Sequence, residues 1–150
     1  MLNNRQYRST AGNAMVEFAI ALPFMFLVVM GAADFGRLFF ESTALANSAQ
    51  AGTMYGTQTN AKSGDTAGIE AAALADAVDV QSAVAVPNRF CDCPDSPGTS
   101  VNCLTGTCTT YGLPRVYVRT RMEKNFQTLG VYPGVPSNSP IVLENWMRVR

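Results

Sequence analysis

Gly12-Asn13-Ala14-Met15-Val16-Glu17-Phe18 opens an oily stretch that runs on to Ala33. Phe18 to Ala33 carries no charge for 16 residues, and from Asn13 the segment is 21 long, interrupted only by Glu17. At about 1.5 Å per helical residue this spans roughly 30 Å, the thickness of a hydrocarbon core. A carboxylate in such a stretch is costly and usually has a partner or a task. Arg5 and Arg8 precede the segment, and Asp34, Arg37 and Glu41 follow it with no positive excess. The positive-inside rule then places the first dozen residues in the cytoplasm and the remainder outside. Pro23 lies within the span, where it removes one helical hydrogen bond and can kink the helix. The competing reading is a secretory signal peptide cut before Asp34, with Gly31 and Ala33 as the small residues at the cleavage site. The length of the stretch and the position of Glu17 argue against it.

Helical periodicity continues beyond the span. Phe35, Leu38, Phe39, Leu45, Ala46 and Ala49 recur at three- and four-residue spacing, which predicts one long helix over roughly 14–54. Half of it would lie in lipid and half in an external domain, with Asp34–Arg37 and Arg37–Glu41 pairs on one face. Gly52 and Gly56 blur its far end. Residues 57–66 are polar and suggest a loop. An Ala-rich second helix is expected from Thr66 to Val80, with Pro87 closing the region.

Two strands follow. Arg115–Glu123 alternates, with Val116, Val118, Thr120 and Met122 on one face and Arg115, Tyr117, Arg119 and Arg121 on the other. Ile141–Val149 places Ile141, Leu143, Asn145, Met147 and Val149 together, opposite Val142 and Trp146. Pro133, Gly134, Pro136 and Pro140 make the connection a long turn rather than a tight hairpin. Two strands alone are marginal, so they must pack on the amphipathic part of the long helix or pair with a strand near Thr107–Tyr111. Trp146 is expected to be a packing residue, with an exposed subunit contact as the alternative. The course of residues 81–114 is left open.

The 150 residues suffice for one domain plus a membrane element, and zero formal net charge argues against a nucleic-acid partner. Positive charge gathers at Arg115, Arg119, Arg121, Lys124, Arg148 and Arg150, while Glu41 to Asp95 is mostly acidic. Mixed solvated faces account for this, and charge-steered assembly contacts are the functional rival. Histidine is absent, which removes the commonest general base and neutral metal ligand. With no phosphate-binding, dinucleotide or calcium motif either, the chain is expected to be no enzyme and to carry no cofactor and no metal.

Cys91, Cys93, Cys103 and Cys108 fall within 18 residues among Pro, Gly, Asp and Ser. In a domain facing an oxidising compartment this predicts two disulfides that order a loop poor in apolar residues. A Cys91–Cys93 bond would close a strained small ring, which favours a crossed or a nested pairing without choosing between them. A four-thiolate zinc site is the rival, and the usual two-residue spacing for it is missing.

With these residues in view, the chain resembles the TadE-like family, pseudopilins of the tight-adherence (Flp-type) pilus and secretion system. The resemblance rests on Gly12 to Phe18, Ala19 to Pro23 and Asp34-Phe35-Gly36-Arg37, and more loosely on Tyr117 to Phe126 and Trp146-Met147-Arg148. It implies an α+β, pilin-like fold in which a long N-terminal helix packs on a small antiparallel sheet. It also implies a basic leader, residues 1–12, removed by a prepilin peptidase between Gly12 and Asn13. The transmembrane helix would then be 13–33 and the extracytoplasmic domain 34–150. Glu17 would become the fifth residue of the mature chain and set register by pairing with a neighbour's new N-terminus. The partners so implied are the peptidase, other pilin or pseudopilin subunits, the inner-membrane assembly platform and the lipid bilayer. The expected location is the inner membrane, N-terminus cytoplasmic and C-terminal domain periplasmic, with a surface pilus as a further destination. A minor-pilin role fits better than the shaft, whose subunits are much shorter. The alternative is an uncleaved, single-pass anchored binding or scaffold protein.

Overall fold

The computed structural model describes residues 6–149, with side chains from Gly12 onward. Arg5, the side chain of Arg8 and Arg150 lie outside the described residues, as do residues 1–5 of the expected leader and the side chains of its residues 6–11. The elements are α1 (Gln6–Gly56), α2 (Asn60–Ser63), α3 (Thr66–Asp76), β1 (Val84–Cys93), β2 (Ser96–Val101), β3 (Arg115–Gln127) and β4 (Asn138–Arg148). The fold is α+β: a long apolar N-terminal helix packed on a four-stranded antiparallel sheet of order β2-β1-β3-β4, with two disulfides in the strand region. Contacts divide the chain into two units. One comprises the chain up to Arg37 with Thr128–Ser137, the other Leu38–Gln127 with Asn138 onward.

In the second unit the core is built from small and medium side chains. Leu45 and Ala49 of α1 meet Ala73 and Ala77 of the α3 region, Val80, Ala85 of β1 and Met122 of β3. Ile69, Val118 and Val149 form a neighbouring cluster. Gly52 and Gly56 are what let α1 come so close. A Cβ on Gly52 would stand 2.9 Å from Ala73 Cβ, and one on Gly56 would stand 2.8 Å from Val118 Cγ1. Both distances are below van der Waals contact, so the two glycines sit deep in the packing rather than at a frayed helix end. Thr53, fully buried, returns its hydroxyl to Ala49 O at 2.7 Å and also reaches Asn145 O of β4 at 3.2 Å. Lys124 of β3 and Glu41 of α1 pair at 2.9 Å with only 13% of either side chain exposed.

Several expectations need correction. The apolar stripe beyond the span is only partly the packed face: Leu45 and Ala49 are buried, but Phe35 and Phe39 remain 69% and 67% exposed. In the second unit the packed face of α1 carries Ser48 and Thr53 beside Leu45 and Ala49, so reading hydropathy alone rotates the helix. A short helix, α2, interrupts the expected loop, its start capped by Thr59 accepting from Lys62 N. The helix α3 stops at Asp76 rather than Val80; its N-cap Asp65 accepts from Gly68 N at 2.9 Å and from the Tyr55 hydroxyl at 2.9 Å.

Pro87 lies inside β1 rather than closing the region before it. Strand β2 pairs only with Cys91 to Cys93, so Val84–Phe90 has a neighbour on one side alone. A residue without an N–H is tolerated on such an open side. No strand forms at Thr107–Tyr111, where Cys108 makes one isolated bridge to Gly112. The partner that β3 needed is β1, in register from Val84↔Glu123 to Asp92↔Arg115. The alternation within β3 is as expected, with Val118, Thr120 and Met122 buried. Trp146 is not a core residue. It is 61% exposed on the opposite face and leans edge-on against Tyr117 at 5.8 Å, which in turn stacks on Phe90 at 5.3 Å.

Candidate functional site

Of the four cysteines, Cys91 bonds Cys103 and Cys93 bonds Cys108, with Cα separations of 5.2 and 5.5 Å. The pairing is crossed. It ties the end of β1 to the segment after β2, which buries little apolar surface of its own. For rings of this length, each bond contributes about 3 kcal/mol by restricting the unfolded chain. Among the described residues no group of His, Cys, Asp or Glu is placed to hold a metal ion.

The first unit is built on the apolar part of α1. The helix runs unbroken through Pro23. Every residue from Gly12 to Val29 is exposed, including Met15 at 78%, Phe24 at 67% and Val28 at 71%. A contiguous apolar surface of this kind marks a membrane or protein contact. This helix is long and apolar enough to cross a bilayer, with a mean hydropathy of 2.2 in its most apolar window. Glu17 sits on this surface, exposed and without a hydrogen bond or ion pair to another described residue. Asn13 lies four residues earlier, about 6 Å along the axis, and Gly12 has open space around its Cα.

At the other end of that surface the chain makes a polar clamp that the sequence revealed only in part. Asp34 pairs with Arg37 at 3.3 Å, as expected from their spacing. Its two carboxylate oxygens also accept the Leu129 amide, each at 3.0 Å, and one accepts the Tyr132 hydroxyl at 2.8 Å. Asp34 is 6% exposed. Its burial pushes the carboxyl pKa up, but the Leu129 amide, the Tyr132 hydroxyl, the Gly130 amide and the Arg37 charge outweigh this, and the net direction is down. Burial, and then the bond to Asp34, push the Tyr132 phenol up. The segment Thr128–Ser137 is closed on itself by Thr128 N to Ser137 O at 3.1 Å, Thr128 Oγ1 to Gly130 O at 2.8 Å and Val135 N to Tyr132 O at 3.1 Å. Gly134, at φ +81°, supplies the left-handed turn within it. The sequence signal for this clamp was a charge at the edge of the span and a lone tyrosine in an uncharged turn. No periodicity links the two, since 98 residues separate them.

Residues 12–53 match the family model of the TadE-like proteins. The match starts at the glycine of the opening motif and takes in Glu17, the apolar surface, Asp34 and the first buried positions of α1. It bears out the resemblance read from those residues. The matched stretch is 42 of the 150 residues, the N-terminal part of the chain. The sheet, the cysteine loop and Thr128–Ser137 lie outside the matched residues. Comparison with curated proteins and with solved structures returned no match.

Proposed function

We propose that the protein is a minor pilin or pseudopilin of a tight-adherence pilus or secretion apparatus. It would be anchored by α1 in the inner membrane with the sheet-bearing part outside, cut between Gly12 and Asn13 by a prepilin peptidase, and assembled through α1. It acts as a structural subunit rather than an enzyme. The observation that carries this reading is Glu17: an exposed carboxylate, unpaired among the described residues, on the apolar surface of a TadE-like helix. A charge so placed is unfavourable in lipid until a cation meets it. Cleavage after Gly12 creates that cation as an α-amino group about one helical turn from Glu17. Between adjacent subunits the two charges neutralise each other and set the axial register, which gives the carboxylate a role in assembly rather than in chemistry.

The test is intact-mass measurement of membrane-extracted protein, with and without the peptidase, alongside Glu17→Ala. The expected mature mass starts at Asn13, and Glu17→Ala is inserted and cut but fails to enter fibres. An uncut chain under both conditions would favour the anchored binding or scaffold protein. Normal assembly of Glu17→Ala would remove the role given to that residue.

A further inference from the structure

The ten residues Thr128–Ser137 contain no charged side chain. Leu129, Val131 and Val135 in this loop are 58%, 91% and 54% exposed, an unusual display for a turn that its own hydrogen bonds hold closed. The loop is fastened to Asp34, the first charged residue after the 16-residue uncharged run ending at Ala33. Its apolar side chains are therefore held beside the helix where the apolar span ends. The fastening groups suit that depth. Tyr132 has an apolar ring and a hydroxyl already bonded to Asp34, the amphipathic character that places tyrosine in membrane interfaces. The Asp34 carboxylate is supplied with an amide, a phenol and a guanidinium, so it is not left bare near lipid.

We propose that Thr128–Ser137 is an interfacial loop that seats Leu129, Val131 and Val135 at the headgroup–acyl boundary of the bilayer that α1 crosses. The inference rests on reading α1 as a membrane span. It adds a second point of lipid contact, which fixes the rotation and depth of the helix before assembly. Lipid is favoured over a protein partner because the loop is uncharged and is fastened to Asp34, the residue that directly follows the uncharged run of α1.

Tryptophan placement separates the outcomes. In a Trp146→Phe background, which removes the native tryptophan, Val131→Trp, Phe24→Trp and Leu104→Trp are each made in the full chain. Each is reconstituted in phosphatidylcholine–phosphatidylglycerol vesicles, with and without brominated acyl chains. Val131 and Leu104 are 91% and 88% exposed, so the new ring displaces no packing. The expected result is bromine quenching and a blue-shifted emission for Val131→Trp and Phe24→Trp, and neither for Leu104→Trp in the cysteine loop. Quenching of Phe24→Trp without Val131→Trp would overturn the interfacial loop and leave the span intact. Shielding of Val131→Trp from aqueous acrylamide without bromine quenching would overturn it in favour of a neighbouring subunit. Equal quenching of Leu104→Trp would overturn it as non-specific adsorption. If Phe24→Trp itself is not quenched, the membrane reading fails and the loop's role fails with it.

Discussion

From Met15 to Val29 every residue of α1 is exposed, although this stretch is almost wholly apolar. From Leu45 to Gly56 the buried positions are Leu45, Ser48, Ala49, Gly52, Thr53 and Gly56, mostly small or polar residues. Within one helix, then, the oilier part is bare and the less oily part is packed. In the second unit burial follows fit. Small residues let the helix backbone approach β3 and α3, and Ser and Thr return their hydroxyls to the carbonyl four residues back. In the first unit hydropathy exceeds anything its own chain covers, so the compensating surface must come from lipid or another subunit. Equal loss of side-chain volume should therefore have unequal consequences in the two stretches.

Leu45→Ala against Leu27→Ala tests this most sharply. Leu45 is fully buried in the core of the second unit, and its truncation should cost about 2–5 kcal/mol in urea unfolding followed in detergent micelles. Leu27 is 53% exposed, and Leu27→Ala should stay within about 0.5 kcal/mol by the same measurement while weakening partition into vesicles. Comparable destabilisation by both would mean that the apolar stretch is packed within its own chain, and the contrast would collapse.

Adding volume gives the converse, with a smaller expected effect. Gly52→Val forces a side chain to within 2.9 Å of Ala73 Cβ and 3.0 Å of Thr120 Cγ2, and should cost about 1–3 kcal/mol through overpacking. A Cβ at Gly31 meets nothing within 4 Å, so Gly31→Val should leave unfolding unchanged. The readout is the thermal midpoint of each variant. A neutral Gly52→Val would show that α1 can retreat from α3 and β3 without loss.

What the sequence disclosed divides along the same line. The apolar run, the continuity of α1 and the alternation of β3 and β4 are legible because each is a local pattern of hydropathy. Strand β1 is not, because Pro87 signals an ending and the strand's reason for existing is a distant partner, β3. The rotation of α1 is not legible, because Phe35 and Phe39 look like core residues while glycine and threonine do not. The crossed disulfides were legible as a pair of bonds but not as a connectivity, which depends on the path from β1 through β2. Of the candidate site, Glu17 stood out as a charge against its background. The Asp34 clamp was half visible, since its Arg37 partner is one turn away and its Tyr132 partner lies across the fold.

The Asp34 clamp offers the smallest expected effect and tests whether the first unit holds any internal structure beyond its helix. The Asp34 carboxyl titrates below its ordinary value of 3.8 when the loop is bound, because amide, phenol and guanidinium favour the charged form more than burial opposes it. A depressed carboxyl contributes its stabilisation in full above the unfolded value and loses it as pH falls through the lowered folded value. Tyr132 acts at the other limit. Its phenol is raised above 10.0, so its contribution is complete below that value and is lost as pH rises through the raised one. The loop should thus stay fastened across the neutral range and release at both extremes. The measurement is the Leu129 amide proton shift followed by NMR against pH in micelles. A single acid transition with a midpoint below 3.8 is expected, absent in Asp34→Asn, whose side-chain oxygen still accepts the amide but does not titrate. A midpoint at or above the ordinary aspartate value, or an unchanged transition in Asp34→Asn, would show that Leu129 reports some other group and that the first unit is a bare helix.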